Sequence, residues 1–331
     1  GGDSTATRTA AELGLADVDQ SAPVTIQRDN SGNPTVTLNA AFGTIDNVYI
    51  NQRTDATLTF ANFVHADVRL TGDQGSSVTL TDAQRGDITL GDGNDRVVVT
   101  AKGGQAGHSL FDIRTDKGDD LISVTASSLG DTQSSVRGGD GDDTFGGGGN
   151  GADTVRGDNG DDALYGGGGA DWLSGGNGFD VLYGEDGNDT LLGGNNEDVL
   201  SGGAGVDSLR GGSGNDLFLV DGLDDAHDIF VGDGGTDRLA DVNGGDIVLG
   251  TFARGAVEIV DANGNKVLGT AGNDDVDFSR SVIRSGEGID MGDGDDRVVG
   301  SSLEDAIRGG DGADTIVGGN GADDGIGSVA A

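Results

Sequence analysis

The residues in this chain best placed to do chemistry are aspartates that recur at one position of a nine-residue unit. From Gly148 to Leu219 the sequence runs through GGNGADTVR, GDNGDDALY, GGGGADWLS, GGNGFDVLY, GEDGNDTLL, GGNNEDVLS, GGAGVDSLR and GGSGNDLFL, with GGDGDDTFG at 138–146 before a one-residue slip. The sixth place is always aspartate: Asp143, Asp153, Asp162, Asp171, Asp180, Asp189, Asp198, Asp207 and Asp216. Stacked at the roughly 4.8 Å spacing of neighbouring strands, these carboxylates would repel one another unless a cation lay between them. Rows of carboxylates and turn carbonyls suit calcium, which accepts about six to eight oxygens in irregular geometry, better than strictly octahedral magnesium. Zinc would want His or Cys; the chain has no Cys, and His65, His108 and His227 are scattered.

The elements that must hold these aspartates follow from the rest of the unit. The glycines fit tight turns with positive φ or close backbone approach, and the last three or four residues have strand character. The eighth place, always large and apolar (Phe145, Val155, Leu164, Leu173, Leu182, Leu191, Leu200, Leu209, Phe218), points inward. One unit cannot fold alone, because ordering nine residues costs roughly 9–18 kcal/mol of backbone entropy while a buried Leu returns about 1.5–3. Stacking is therefore required, and the expected fold is all-β, a parallel β-solenoid.

The pattern extends outward through GDGNDRVV (91–98), TDKGDDLIS (115–123) and GDGGTDRLA (232–240). A second block holds GTAGNDDVD (269–277), SGEGID (285–290), MGDGDDRVV (291–299), GSSLEDAIR (300–308), GGDGADTIV (309–317) and GGNGADD (318–324). Four segments result: a β-rich, solenoid-like 1–90, a main repeat region 91–240, an insertion 241–268 and a second repeat block 269–331. In the insertion, IVL and AVEIV around an ANGN turn predict a hairpin. In the first segment TVTL (35–38), NVYI (47–50), ATLTF (56–60), DVRL (67–70), SVTL (77–80) and DITL (87–90) recur at a spacing that fits a continuing parallel solenoid or an antiparallel sandwich. The solenoid is favoured because DITL runs without a gap into the first glycine-rich turn, and residues 7–19 read as a short capping helix.

Composition narrows the function. The chain of 331 residues has 66 Gly but 2 Pro, which excludes collagen. Its formal charge of −39, from 19 Lys+Arg against 58 Asp+Glu, resembles that of a solvated, disordered chain and makes compaction depend on cations. The same charge, without any basic run, argues against nucleic acid and anionic membranes as partners. No apolar run approaches the roughly 20 residues of a membrane span. HExxH, GxSxG and a nucleophilic Cys are all missing, so no enzyme activity is expected.

The unit resembles the RTX (repeats-in-toxin) signature GGxGxDxUx of type I secreted bacterial proteins, which GGNGADTVR, GGNGFDVLY and GGSGNDLFL match throughout. The resemblance implies a right-handed parallel β-roll with two repeats per coil, and multiple calcium ions between turns stacked on one edge. Carried over by position, its metal ligands would be the nine sixth-place aspartates above together with Asp95, Asp120, Asp237, Asp274, Asp290, Asp296, Asp305, Asp314 and Asp323. Ser301, Ser302 and Leu303 depart from the pattern by replacing the turn glycines beside Asp305. The family implies secretion and a place outside the cell or on its surface but no particular task. Solenoid strands over most of the length favour a structural, surface-layer or adhesive role; the alternative is the non-catalytic calcium-binding portion of a larger secreted enzyme or toxin. The two-repeat coil also places Tyr165, Val181, Tyr183, Val199, Leu217 and Leu219 on one outward face, an apolar stripe suited to self-association or a cell-surface partner, or to coverage by 220–268 folding back.

Overall fold

In the computed structural model the described residues are 5–9, 23–28, 34–39, 45–52, 57–61, 63–101, 109–126, 132–147, 149–221, 227–243, 245–253, 256–285, 287–319 and 327–329, and every regular element among them longer than one turn is a strand. They belong to two compact units, Gly1–Trp172 and Leu173–Ala331. Each is a β-solenoid built of parallel sheets.

A coil forms because each repeat strand continues past its own unit. Val199–Ala204 comprises places seven to nine of one repeat and the first three of the next, so the strand is longer than the three or four residues expected from sequence. Within it Leu200 and Gly202, two residues apart, both face the core, as the period of two requires. The second-place glycine then turns the chain: Gly194 and Gly212 have φ of 127° and 112°, a left-handed region that glycine enters without a Cβ clash.

In the first unit one sheet passes from Pro34–Asn39 through Thr57–Ala61, Ser77–Ala83, Arg96–Ala101, Leu121–Ala126 and Thr144–Gly146 to Ala163–Gly168. The other passes from Ile45–Gln52 through Phe63–Leu70, Arg85–Thr89, Ser109–Lys117 and Thr132–Asp140 to Thr154–Asn159. Register places Val78, Val97, Ile122, Phe145 and Leu164 in one buried column. Val68, Ile88, Ile113, Val136 and Val155 form another. The solenoid reading of the first ninety residues therefore holds from Pro34 onward. Thr5–Thr9 and Pro23–Arg28 add to it antiparallel. Thr5–Thr9 is strand where the start of a capping helix was expected, and residues 10–19 lie outside the described ones.

In the second unit Leu182, Leu200, Phe218, Leu239 and Val260 form one buried column and Leu191, Leu209 and Phe230 a second. Residues 241–268 do not make the expected hairpin. Ile259–Asp261 pairs in parallel with Arg238–Asp241 and with Val282–Arg284, while Ile247–Val248 pairs in parallel with Val267–Leu268. The apolar runs IVL and AVEIV contribute separate coil strands with Thr251–Phe252 between them. ANGN does make its turn, with the Asn265 N–H donating to the Ala262 carbonyl at 2.8 Å, but burial of Ile247, Val257 and Val260 in the solenoid core sets parallel pairing on either side of it. Two further parallel sheets complete this part. One contains Ile247–Val248, Val267–Leu268, Ile289–Asp290, Ile307–Asp311 and Gly327–Val329; the other contains Thr251–Phe252, Asp275–Asp277, Arg297–Val299 and Thr315–Val317.

On the outer face of the second unit Val181, Val199 and Leu217 stand in register, as do Tyr183, Ser201 and Leu219, all half-buried. The described residues of 220–268 extend the coils in register instead of folding back over this stripe.

Candidate metal centre

The sixth-place aspartates sit where a turn enters a strand, and their side chains bend back into the solenoid. Each carboxylate accepts the main-chain N–H of its counterpart one coil earlier. In the first unit Asp95 donates to Asp120 Oδ1 at 2.7 Å, Asp120 to Asp143 at 2.9 Å and Asp143 to Asp162 at 2.8 Å. On the opposite edge Ser134 donates to Asp153 at 2.5 Å and Asp153 to Asp171 at 2.7 Å. In the second unit Asp180 donates to Asp198 and Asp198 to Asp216, both at 2.9 Å. Asp189 and Asp207 begin the facing ladder, joined at 2.7 Å. Asp274, Asp296 and Asp314 make a third in the last block, with distances of 3.0 and 3.2 Å.

These ladders satisfy one oxygen of each carboxylate and leave the other in an unusual position. The Oδ2 atoms of Asp120, Asp143, Asp198, Asp216, Asp237, Asp296 and Asp314 are buried without a hydrogen-bond partner. A buried carboxylate oxygen without a partner is costly unless the group is protonated or coordinates a cation. The first-place glycine makes room for this atom: a Cβ on Gly175, Gly202 or Gly211 would overlap Oδ2 of Asp180, Asp207 or Asp216 in the same repeat. That overlap is the local reason why the unit opens with glycine.

Burial raises the pKa of the ladder carboxylates, from the ordinary 3.8 to about 6 at Asp120, about 7 at Asp143 and Asp153, and about 8 at Asp198. The accepted N–H opposes the rise and neighbouring carboxylates add to it. Asp216, Asp237 and Asp296 shift upward for the same first cause. Burial thus disfavours the charged form of these carboxylates near neutral pH unless positive charge is supplied. Among the described residues no three His, Cys, Asp or Glu side chains converge on one point. A cation fitting this edge would be hard and would take single carboxylate oxygens from several coils together with turn carbonyls, as calcium does.

Most sequence-predicted ligands lie on these ladders: Asp95, Asp120, Asp143, Asp153, Asp162, Asp171, Asp180, Asp189, Asp198, Asp207, Asp216, Asp237, Asp274, Asp296 and Asp314. Asp290 does not. It follows buried Ile289 in a strand, so it holds the ninth place, and its carboxylate faces Arg308 at 3.5 Å and Lys266 at 3.7 Å. Asp305 is buried but bonded within its own turn, and Asp323 lies outside the described residues. Two ladder positions escaped sequence reasoning. Asp207 donates to Asp228 at 2.8 Å and Asp237 to Glu258 Oε2 at 2.9 Å. Neither has the glycine turn, but both occur as acid, any residue, large apolar residue (Asp228-Ile229-Phe230 and Glu258-Ile259-Val260), which is the signal that could have found them.

Fold and edge together define a parallel β-solenoid whose turns carry ladders of buried acids. Residues 147–182, 183–218 and 292–324 match the RTX calcium-binding nonapeptide repeat (4 copies). The chain thus carries the calcium-binding repeats of the RTX family. No curated protein matches the chain.

Proposed function

We propose that this chain is a secreted structural or adhesive component of a bacterial cell surface, without catalysis of its own, whose solenoid closes when calcium enters the aspartate ladders. The observation that carries this reading is the row of buried carboxylate oxygens with no hydrogen-bond partner, of which Asp120, Asp143, Asp198 and Asp216 are members. Calcium supplies the missing positive charge, and Oδ2 of these residues would hold it. At millimolar calcium and dissociation constants of about 10⁻⁴–10⁻³ M, each ion contributes roughly 0.4–1.4 kcal/mol. Several ions sum to the order of a domain's whole stability, about 5–15 kcal/mol. At micromolar calcium that contribution vanishes, so folding is coupled to export.

The stripe of Val181, Val199, Leu217, Tyr183 and Leu219 supports an assembly role, since apolar rows of this kind favour contact with a second surface. Electron microscopy and light scattering of the full chain provide the test. Ordered assemblies in millimolar calcium, dispersed by chelator and by serine at Val181, Tyr183 and Leu217, are expected. Monodisperse single particles under both conditions contradict the structural role.

A further inference from the structure

Two repeats of the last block, one of them at the head of the Asp274–Asp296–Asp314 ladder, solve the charge problem differently from the repeats that bury an unpartnered Oδ2. In GTAGNDDVD the second place is Thr270, and in GSSLEDAIR it is Ser301. The Thr270 N–H donates to Asp274 Oδ2 at 2.7 Å and its hydroxyl to Oδ1 at 2.7 Å. Ser301 repeats the arrangement on Asp305, with its N–H on Oδ2 at 2.6 Å and its hydroxyl on Oδ1 at 3.0 Å. In both turns the hydroxyl oxygen also accepts the N–H two residues on, from Gly272 and from Leu303, each at 3.1 Å. The same four groups thus close the same ring twice.

The consequences distinguish these turns from their neighbours. Asp296 and Asp314 each bury an Oδ2 without a hydrogen-bond partner, whereas both oxygens of Asp274 and of Asp305 accept hydrogen bonds. Second-place Gly292 and Gly310 adopt φ of 90° and 109°; Thr270 and Ser301 stay out of the left-handed region. A hydroxyl and an N–H supply two donors to one carboxylate, which replaces the solvation that burial removed.

We propose that Thr270 and Ser301 are hydroxyl clamps that close their coils without calcium, so that Asp274 and Asp305 are not metal ligands. This rests on the calcium reading only for the coils without a clamp. The last block then contains coils that are closed at any calcium concentration, interleaved with the calcium-dependent ladder of Asp296 and Asp314.

Hydrogen exchange of the full chain in chelator, paired with equilibrium dialysis against radioactive calcium, tests the clamps. Ser301→Ala removes one donor and should speed exchange around 300–308 in chelator at least tenfold, while Ser301→Thr, which keeps the hydroxyl, should restore protection. Thr270→Gly completes the repeat as GGAGNDDVD and should add bound calcium relative to the parent while making 269–277 calcium-dependent. Asp305→Asn should leave the amount of bound calcium unchanged. Loss of calcium on Asp305→Asn, or equal exchange in chelator for the parent and Ser301→Ala, overturns the proposal. A parent that binds no calcium would defeat the calcium reading instead, and the exchange data would still decide the clamps.

Discussion

Within the second unit, residues 173–220 and 245–317 build similar coils from different materials. The first region buries one large apolar side chain per repeat, Leu182, Leu191, Leu200, Leu209 and Phe218 in turn, and fills the next inward place with glycine until Val220 takes it after Phe218. The second buries Val248, Leu249, Phe252, Val257, Val276, Phe278 and Met291 as well as its column residues, with the Phe252 and Phe278 rings in tilted contact at 5.0 Å. A repeat whose core is one Leu cannot offset the ordering of its nine residues by apolar burial alone. On the proposed reading it depends on the edge, where calcium would balance the buried aspartates. Where the core is denser, local hydroxyls and ion pairs such as Arg238–Asp261, at 2.9 Å, can hold the turns and faces. On the calcium reading proposed above, the comparison ties dependence on the cation to thin cores, with Asp296 and Asp314 the ladder carboxylates with an unpartnered Oδ2 that the denser region keeps.

The strongest way to break this comparison is to thin the core further. Leu200→Ala should cost about 2–5 kcal/mol, through the lost transfer energy and the cavity, and should unfold the array even in calcium; a melting curve in calcium checks it. Asp198→Asn comes next and should act in opposite directions. It keeps an acceptor for the Asp180 N–H but removes the buried charge, so it should stabilise the chelated chain and raise the calcium midpoint severalfold. Asp161→Asn, at the exposed fifth place, should move neither, as circular dichroism during calcium titration would reveal.

Acidity should mimic the cation, and the sign follows from the raised carboxylates. Asp143, Asp153 and Asp198 have folded pKa values of about 7 to 8 against an ordinary 3.8, so the native state holds more protons than the unfolded chain throughout that window. Apo stability is then fully present below about pH 4 and is lost as the pH rises toward 8. In chelator, lowering the pH from 8 to 5 should restore strand signal in far-ultraviolet circular dichroism, whereas in calcium the same change should do little. The smallest effect concerns backbone strain. Glu185 holds a second place at φ 73°, and Glu185→Gly should stabilise by about 0.5–1 kcal/mol, relief of left-handed strain less the entropy glycine returns to the unfolded chain. A thermal melt in calcium reads it directly.

Much of this was legible from residues alone, for physical reasons. Period nine with fixed Asp and fixed apolar places is a strong signal because every unit must bury the same face, and it specified the columns and most of the ladder. The hairpin failed because ANGN is a good turn signal in isolation, while whether Ile259 pairs with Val267 or with Arg238 is decided by the register of a core that the local sequence does not display. Asp290 was misassigned by counting from glycines; counting from the buried Ile289 gives the right place. Asp228 and Glu258 were missed because their turns lost the glycines while keeping the acid before an apolar residue. Both clamps could have been anticipated from a hydroxyl at place two, but their meaning depends on two hydrogen bonds to one carboxylate, and spacing does not encode that geometry.

The most direct test of the central claim is hydrogen exchange of the full chain, resolved by segment, in millimolar calcium and in chelator at pH 7.5. The account predicts that 149–220 is protected only in calcium, while 57–101, with two buried apolar residues on most strands, and the clamped coils around 269–277 and 300–308 stay protected in both. Equal protection of 149–220 with and without calcium would contradict it.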